Sequence, residues 1–191
     1  MPLDRPGPLD DVSTRLLQRR VVLVAGTLDS RTMANAAAQL MLLDATGDDP
    51  IELRLMCPGG DLDAALALAD TIDLLGVELR ACAAGVVGGP AVAPLVAGTT
   101  RVAHPHATFV LRDPDLCAGG RAEDVALAVA QHRRQVDALH IRLATACGRR
   151  PERIAEDMRT GLVLSAPEAV HYGLVGEIVA VSTGRTAPGQ P

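Results

Sequence analysis

The chain reads as an α/β fold, in which strands and helices alternate along the sequence. Three observations predict this. Short apolar runs of strand length are followed by longer segments with helical spacing. Glycine and proline turns separate the two kinds. The apolar fraction of 48% over 191 residues suffices for one domain with a sizeable core. Such alternation calls for a parallel sheet with right-handed crossovers.

The elements follow in order. Residues 1–14 are expected as a short flexible arm and 182–191 as a flexible tail, with one domain at 15–181 between them. Val21–Ala25 is a short apolar run that predicts a buried strand. Thr32–Ala45 has helical spacing, and Gly47-Asp-Asp-Pro50 is a turn. Ile51–Met56 alternates, with Ile51, Leu53 and Leu55 inward and Glu52 and Arg54 outward. Pro58-Gly-Gly60 turns sharply into a helix over Leu62–Leu75, stopped by Gly76. A strand is expected at Val77–Ala83. Gly88-Gly89 then leads into a short helix with Pro90 at its first position. Further strands are expected near Thr100–Ala103 and Thr108–Leu111. Arg121–Cys147 carries the longest helix, with an apolar stripe at Val125, Val129, His132, Val136, Leu139 and Leu143. A helix near Pro151–Arg159, a capping box at Ser165-Ala-Pro-Glu168 and a last strand at Glu177–Val181 complete the series.

Composition removes several function classes. All 18 basic residues are arginine, which excludes a catalytic lysine. A net charge of −5, with Phe109 and Tyr172 as the only aromatics, leaves neither a basic footprint nor a stacking platform for nucleic acid. Ala81–Gly98 runs 18 residues without a charge, but its glycines and prolines would break a membrane-spanning helix. No apolar leader opens the chain, and Cys57, Cys82, Cys117 and Cys147 form no C-x-x-C pair. Four scattered thiols predict buried hydrophobes in a reducing cytoplasm. His104-Pro-His106 offers two metal ligands without a third, so no metal site and no cofactor are expected.

Three stretches in this order carry a resemblance: Arg15-Leu-Leu-Gln-Arg-Arg-Val-Val-Leu-Val-Ala-Gly26, Met56-Cys-Pro-Gly-Gly60 and Ser165-Ala-Pro-Glu-Ala-Val-His-Tyr-Gly-Leu-Val175. Together they resemble the Clp protease proteolytic subunit family over about Arg15–Val181, almost without gaps. The resemblance implies a crotonase-like spiral fold of repeated strand–helix units with a protruding handle helix, at about 121–147. It also implies a serine peptidase built as two stacked seven-membered rings around a chamber, fed by an unfolding ATPase.

Carried over position by position, the family's chemistry is missing. The nucleophilic serine falls on Gly89, the histidine on Arg112 and the aspartate on Gly161. A guanidinium is always protonated and has no acceptor, so Arg112 cannot serve as a general base. Gly60 keeps one backbone donor of the oxyanion hole, whereas the second position is Pro90, which has no N–H. The aromatic positions that would receive the ATPase's loops are Glu52 and Arg54, which makes such docking doubtful. The acid–arginine pair expected at the ring–ring contact is replaced by Arg159 and Thr160.

These departures imply a catalytically inactive Clp-type subunit with a structural or regulatory role. It would form a ring alone or with an active paralogue. Three alternatives stand beside it: a peptidase using Cys57, with His104 or His106 as base; a crotonase-type enzyme acting on an acyl-CoA thioester; and a peptide-binding scaffold using the strand edge after Gly60. The apolar stripe of the long helix admits a further reading, core packing within a monomer.

Overall fold

The computed structural model describes residues 8–116 and 118–180; the tail at 182–191 and Cys117 lie outside them. The first element is already a helix, α1 (Pro8–Gln18), so the arm expected over 1–14 is helical from Pro8 onward. Its Leu17 packs against the core. Arg20 follows in a left-handed conformation (φ 58°). Its guanidinium donates to the carbonyls of Leu43 and Gly47, each at 3.0 Å, and so satisfies the C-terminal end of the next helix.

Five strands form the main sheet, in the order β1–β2–β3–β5–β8, all parallel. They are β1 (Val21–Ala25), β2 (Ile51–Met56), β3 (Leu79–Ala83), β5 (Thr100–Ala103) and β8 (Glu177–Ile178). The first two crossovers are α2 (Ser30–Thr46) and α3 (Leu62–Asp73). Val22, Val24, Ile51, Leu53, Leu55, Leu79, Ala81 and Ala83 are buried with Leu40, Leu43, Leu68 and Ile72 of these helices in one core. The alternation read in Ile51–Met56 is matched by its burial pattern. The other face of β1 and β2 stays open, with Leu23 45% and Met56 39% exposed. Parallel sheets are ordinarily covered on both faces.

A second, three-stranded sheet has the order β4–β6–β7: β4 (Val86–Gly88), β6 (Thr108–Leu111) and β7 (Leu162–Ser165). β6 pairs parallel with β4 and antiparallel with β7. β4 and β7 are not among the predicted strands. β4 runs through Gly89–Ala91, a 3-10 turn, into α4 (Val92–Ala97). α3 ends at Asp73, with Leu74 as its cap, before Gly76 is reached. No helix among the described residues is long and apolar enough to cross a membrane.

The long helix α5 (Ala122–Cys147) matches its expected span to within a residue. Its stripe behaves in two ways. Leu139 and Leu143 are fully buried, whereas no residue from Ala122 to Ala138 is buried and Val129 is 42% exposed. Core packing within one chain therefore accounts only for the inner turns. α6 (Pro151–Thr160) and α7 (Ala166–Tyr172) follow. The predicted capping box is present: the Glu168 carboxylate accepts from the Ser165 N–H at 2.8 Å and from its hydroxyl at 2.6 Å.

A buried polar cluster joins α6 to α7. The Tyr172 hydroxyl donates to Asp157 Oδ2 at 2.7 Å, and Arg153 pairs with Oδ1 of the same carboxylate at 2.9 Å. Arg149 lies 3.9 Å above the Tyr172 ring. Burial and the neighbouring carboxylate push the phenol pKa upward. The fold thus favours the neutral phenol. Its contribution is fully present below the unfolded value of about 10 and is lost as pH rises above that. Tyr172 is the only tyrosine and there is no tryptophan, so absorbance near 295 nm reports this group alone. An alkaline titration is expected to show no phenolate before the unfolded range is passed, with ionisation and unfolding coinciding. A transition near pH 10 in the folded chain would contradict the cluster.

Candidate functional site

The site is built where the two sheets meet. The Cys57-Pro-Gly-Gly60 turn leaves the end of β2, and its Gly60 forms a parallel bridge with Leu28. The hydrogen bonds of this bridge run from the Leu28 N–H to Gly59 O and from the Asp61 N–H to Leu28 O. The N–H and C=O of Gly60 itself therefore point away from Leu28. A Cβ on Gly60 would lie 2.6 Å from the Leu28 Cβ, which explains the glycine. The end of β4 reaches the same turn, because the Gly88 N–H donates to Cys57 O at 2.9 Å.

The three carried-over triad positions converge here. A Cβ built on Gly89 would come nearest to Arg112 O, at 3.7 Å. The next residue, Asp113, donates its N–H to Met158 O at 3.1 Å, and the Gly161 N–H donates to the same carbonyl at 3.3 Å. Sequence positions 89, 112 and 161 thus lie around one small volume. At that point they present no side chain, an exposed guanidinium and no side chain. Gly89 (φ 52°) and Gly161 (φ 76°) both stand in the left-handed region. Pro90 is the second residue of the 3-10 turn, where a first-turn N–H would have been free to face a ligand.

A cleft of about 430 Å³ borders Gly60. Its walls include Asp61 and Asp63 at the start of α3, Asp115 after β6, and Gln131 and His132 on α5. Gln135 donates to Asp63 across it.

Cys57 is fully buried and donates to Val24 O at 3.5 Å. Burial pushes its thiol up to about 11, so at neutral pH it is a protonated hydrophobe. His104 and His106 are exposed in the turn before β6. Cys82 is also buried, and burial raises its thiol as well. Glu52 and Arg54 pair with each other at 2.6 Å on the outward face of β2. Arg159 is exposed at the end of α6, and the Thr160 hydroxyl donates back to Glu156 O at 2.9 Å. No group of three metal-ligating side chains occurs among the described residues.

Sequence reasoning did not assign a partner to Asp113. Its Oδ1 lies 2.8 Å from Nε2 of the buried His140 on α5. The two residues are 27 positions apart and share no motif, so nothing in the sequence pairs them.

This scaffold of a parallel sheet, a glycine turn and a projecting helix is that of the Clp protease family, whose model matches residues 6–182. The chain belongs to this family. It is 33% identical over 172 residues to the ATP-dependent Clp protease proteolytic subunit of Dehalococcoides mccartyi strain CBDB1, covering 88% of this chain and 86% of that relative. It is also 35% identical over 183 residues to a putative ATP-dependent Clp protease proteolytic subunit-like protein of Streptomyces coelicolor, covering 93% and 85%.

Proposed function

We propose that this chain is a ring-forming subunit of a Clp-type proteolytic assembly that performs no peptide hydrolysis itself and acts as a structural or regulatory member. One observation carries the reading. Positions 89, 112 and 161 converge, yet they supply no nucleophile, no proton acceptor and no orienting acid. Pro90 removes one of the two donors an oxyanion would need, which by itself typically costs about 10²–10³ in rate. The same missing donor counts against an acyl-CoA reaction. The burial and raised pKa of Cys57 count against a thiol route.

Ring formation is supported by family membership, by the open face of the parallel sheet and by the projecting half of α5, where Leu127 is 65% exposed. The Glu52–Arg54 pair offers an apolar ATPase loop no anchor, so an active paralogue in a mixed ring would supply that contact. The three free thiols among the described residues, Cys57, Cys82 and Cys147, suit a reducing cytoplasm. A peptide-binding scaffold is the second reading. It is favoured by the turned-away N–H and C=O of Gly60 beside the cleft.

Native mass spectra of the chain alone and mixed with an active Clp peptidase subunit test the proposal, with fluorogenic peptide hydrolysis measured on the same samples. The expected result is a ring, alone or mixed, with hydrolysis only where the active subunit is present. Hydrolysis by the pure chain, or a monomer in both samples, overturns it.

A further inference from the structure

Asp113 occupies a junction that neither catalysis nor assembly accounts for. Its N–H holds it to Met158 O at the end of α6, and its carboxylate holds it to His140 Nε2, at 3.1 and 2.8 Å. One residue thus ties the end of β6 to both α6 and α5. His140 is 8% exposed and sits on the first buried turn of α5, beside Leu139. Every residue of α5 before it, from Ala122 to Ala138, is at least partly exposed. The pair therefore stands at the point where the handle leaves the body of the domain.

The segment Arg112–Leu116 belongs to no strand or helix. Among its described hydrogen bonds, the two made by Asp113 are its links to the helices. Further along, Asp115 and Leu116 form a wall of the cleft at Gly60, facing Ala128, Gln131 and His132 of the handle. Around His140, the small cavity between α5 and α6 is lined also by Asp137, Ile141, Pro151 and Glu152, so Asp113, Asp137 and Glu152 are the carboxylates of its neighbourhood.

We propose that the Asp113–His140 pair is a latch that holds the segment Arg112–Leu116 to the root of the handle, so that the cleft wall and the handle move as one body. The reasoning is local and mechanical. A hydrogen bond between a carboxylate and a buried imidazole is among the stronger side-chain contacts, and the segment it holds has little else to order it. Local opening of such a segment is governed by the few contacts that cross it. The latch rests on contacts within one chain, so it stands or fails independently of catalytic inactivity and of ring formation.

Hydrogen exchange of the full chain, read by mass spectrometry, tests this in D113A, in H140A and in the double variant. In D113A, exchange is expected to rise about tenfold or more in peptides covering Arg112–Leu116 and the outer turns of α5, with β1–β3 unchanged. The double variant should open little further than D113A alone, because both substitutions remove the same bond. Exchange unchanged in D113A would overturn the latch. So would a rise of equal size in β1–β3, which would mark a general loss of stability. Effects that simply add in the double variant would overturn it as well. Asp113 is partly exposed, so D113A is expected to keep the fold even if the buried His140 proves harder to replace.

Discussion

Gly89→Ser alone is expected to give no peptidase activity, although it restores the hydroxyl. The space is there: the nearest atom to the new Cβ is Arg112 O, at 3.7 Å. The left-handed backbone (φ 52°) costs a non-glycine residue roughly 1–2 kcal/mol, which the domain can absorb. Chemistry is what remains missing, because the guanidinium at position 112 cannot accept the hydroxyl proton. Adding Arg112→His and Gly161→Asp would supply a base and an orienting acid, since Gly161 and Asp113, the residue after Arg112, both donate to Met158 O. The triple variant is expected to hydrolyse a fluorogenic peptide weakly and to take up a fluorophosphonate at position 89. Adding Pro90→Met returns the second oxyanion donor, and the rate should then rise by about 10²–10³. Hydrolysis by the Gly89→Ser single variant would refute this account of the site. So would a quadruple variant no faster than the triple.

How much of this could be read beforehand follows from how local each signal is. The Ile51–Met56 alternation, the Ser165–Glu168 capping box and the span of α5 depend on neighbours a few residues away, and all three appear where expected. β4 escaped because its three residues, ending in glycine, are too short for a period to register, and β7 because its last residue, Ser165, reads as the cap of α7. The Ala122–Ala138 half of α5 carries a stripe that periodicity reports faithfully, but periodicity does not say what covers it. Membership of the family was legible in the Pro58-Gly-Gly60 turn and the Ser165–Val175 stretch. The burial of Cys57 follows the expectation that scattered thiols are buried hydrophobes, whereas the Asp113–His140 bond depends on a tertiary contact 27 positions apart, where no sequence rule reaches.

The largest single loss of stability is expected from Phe109→Ala. Phe109 is fully buried on β6, opposite Val87 of β4 on one side and Leu164 of β7 on the other. It is the only phenylalanine in the chain, and its two cross-strand neighbours, Val87 and Leu164, are each smaller than the ring that would be lost. Truncation of a buried phenylalanine typically costs about 3–5 kcal/mol, the lost transfer of the ring plus the cavity left behind. Against a total of about 5–15 kcal/mol for a domain, that moves the chain close to its unfolding threshold. Urea unfolding at fixed protein concentration measures it, the concentration being held because assembly would shift the apparent midpoint. A loss below about 1 kcal/mol would mean that the small sheet collapses around the gap. The consequence for the site would differ from that of the triad substitutions. Gly89 follows β4, Arg112 follows β6 and Gly161 precedes β7, so all three positions hang from the sheet that Phe109 packs. A chain weakened there would lose the convergence of those positions before it lost the parallel sheet, and no reversion at 89, 112 or 161 would then recover activity.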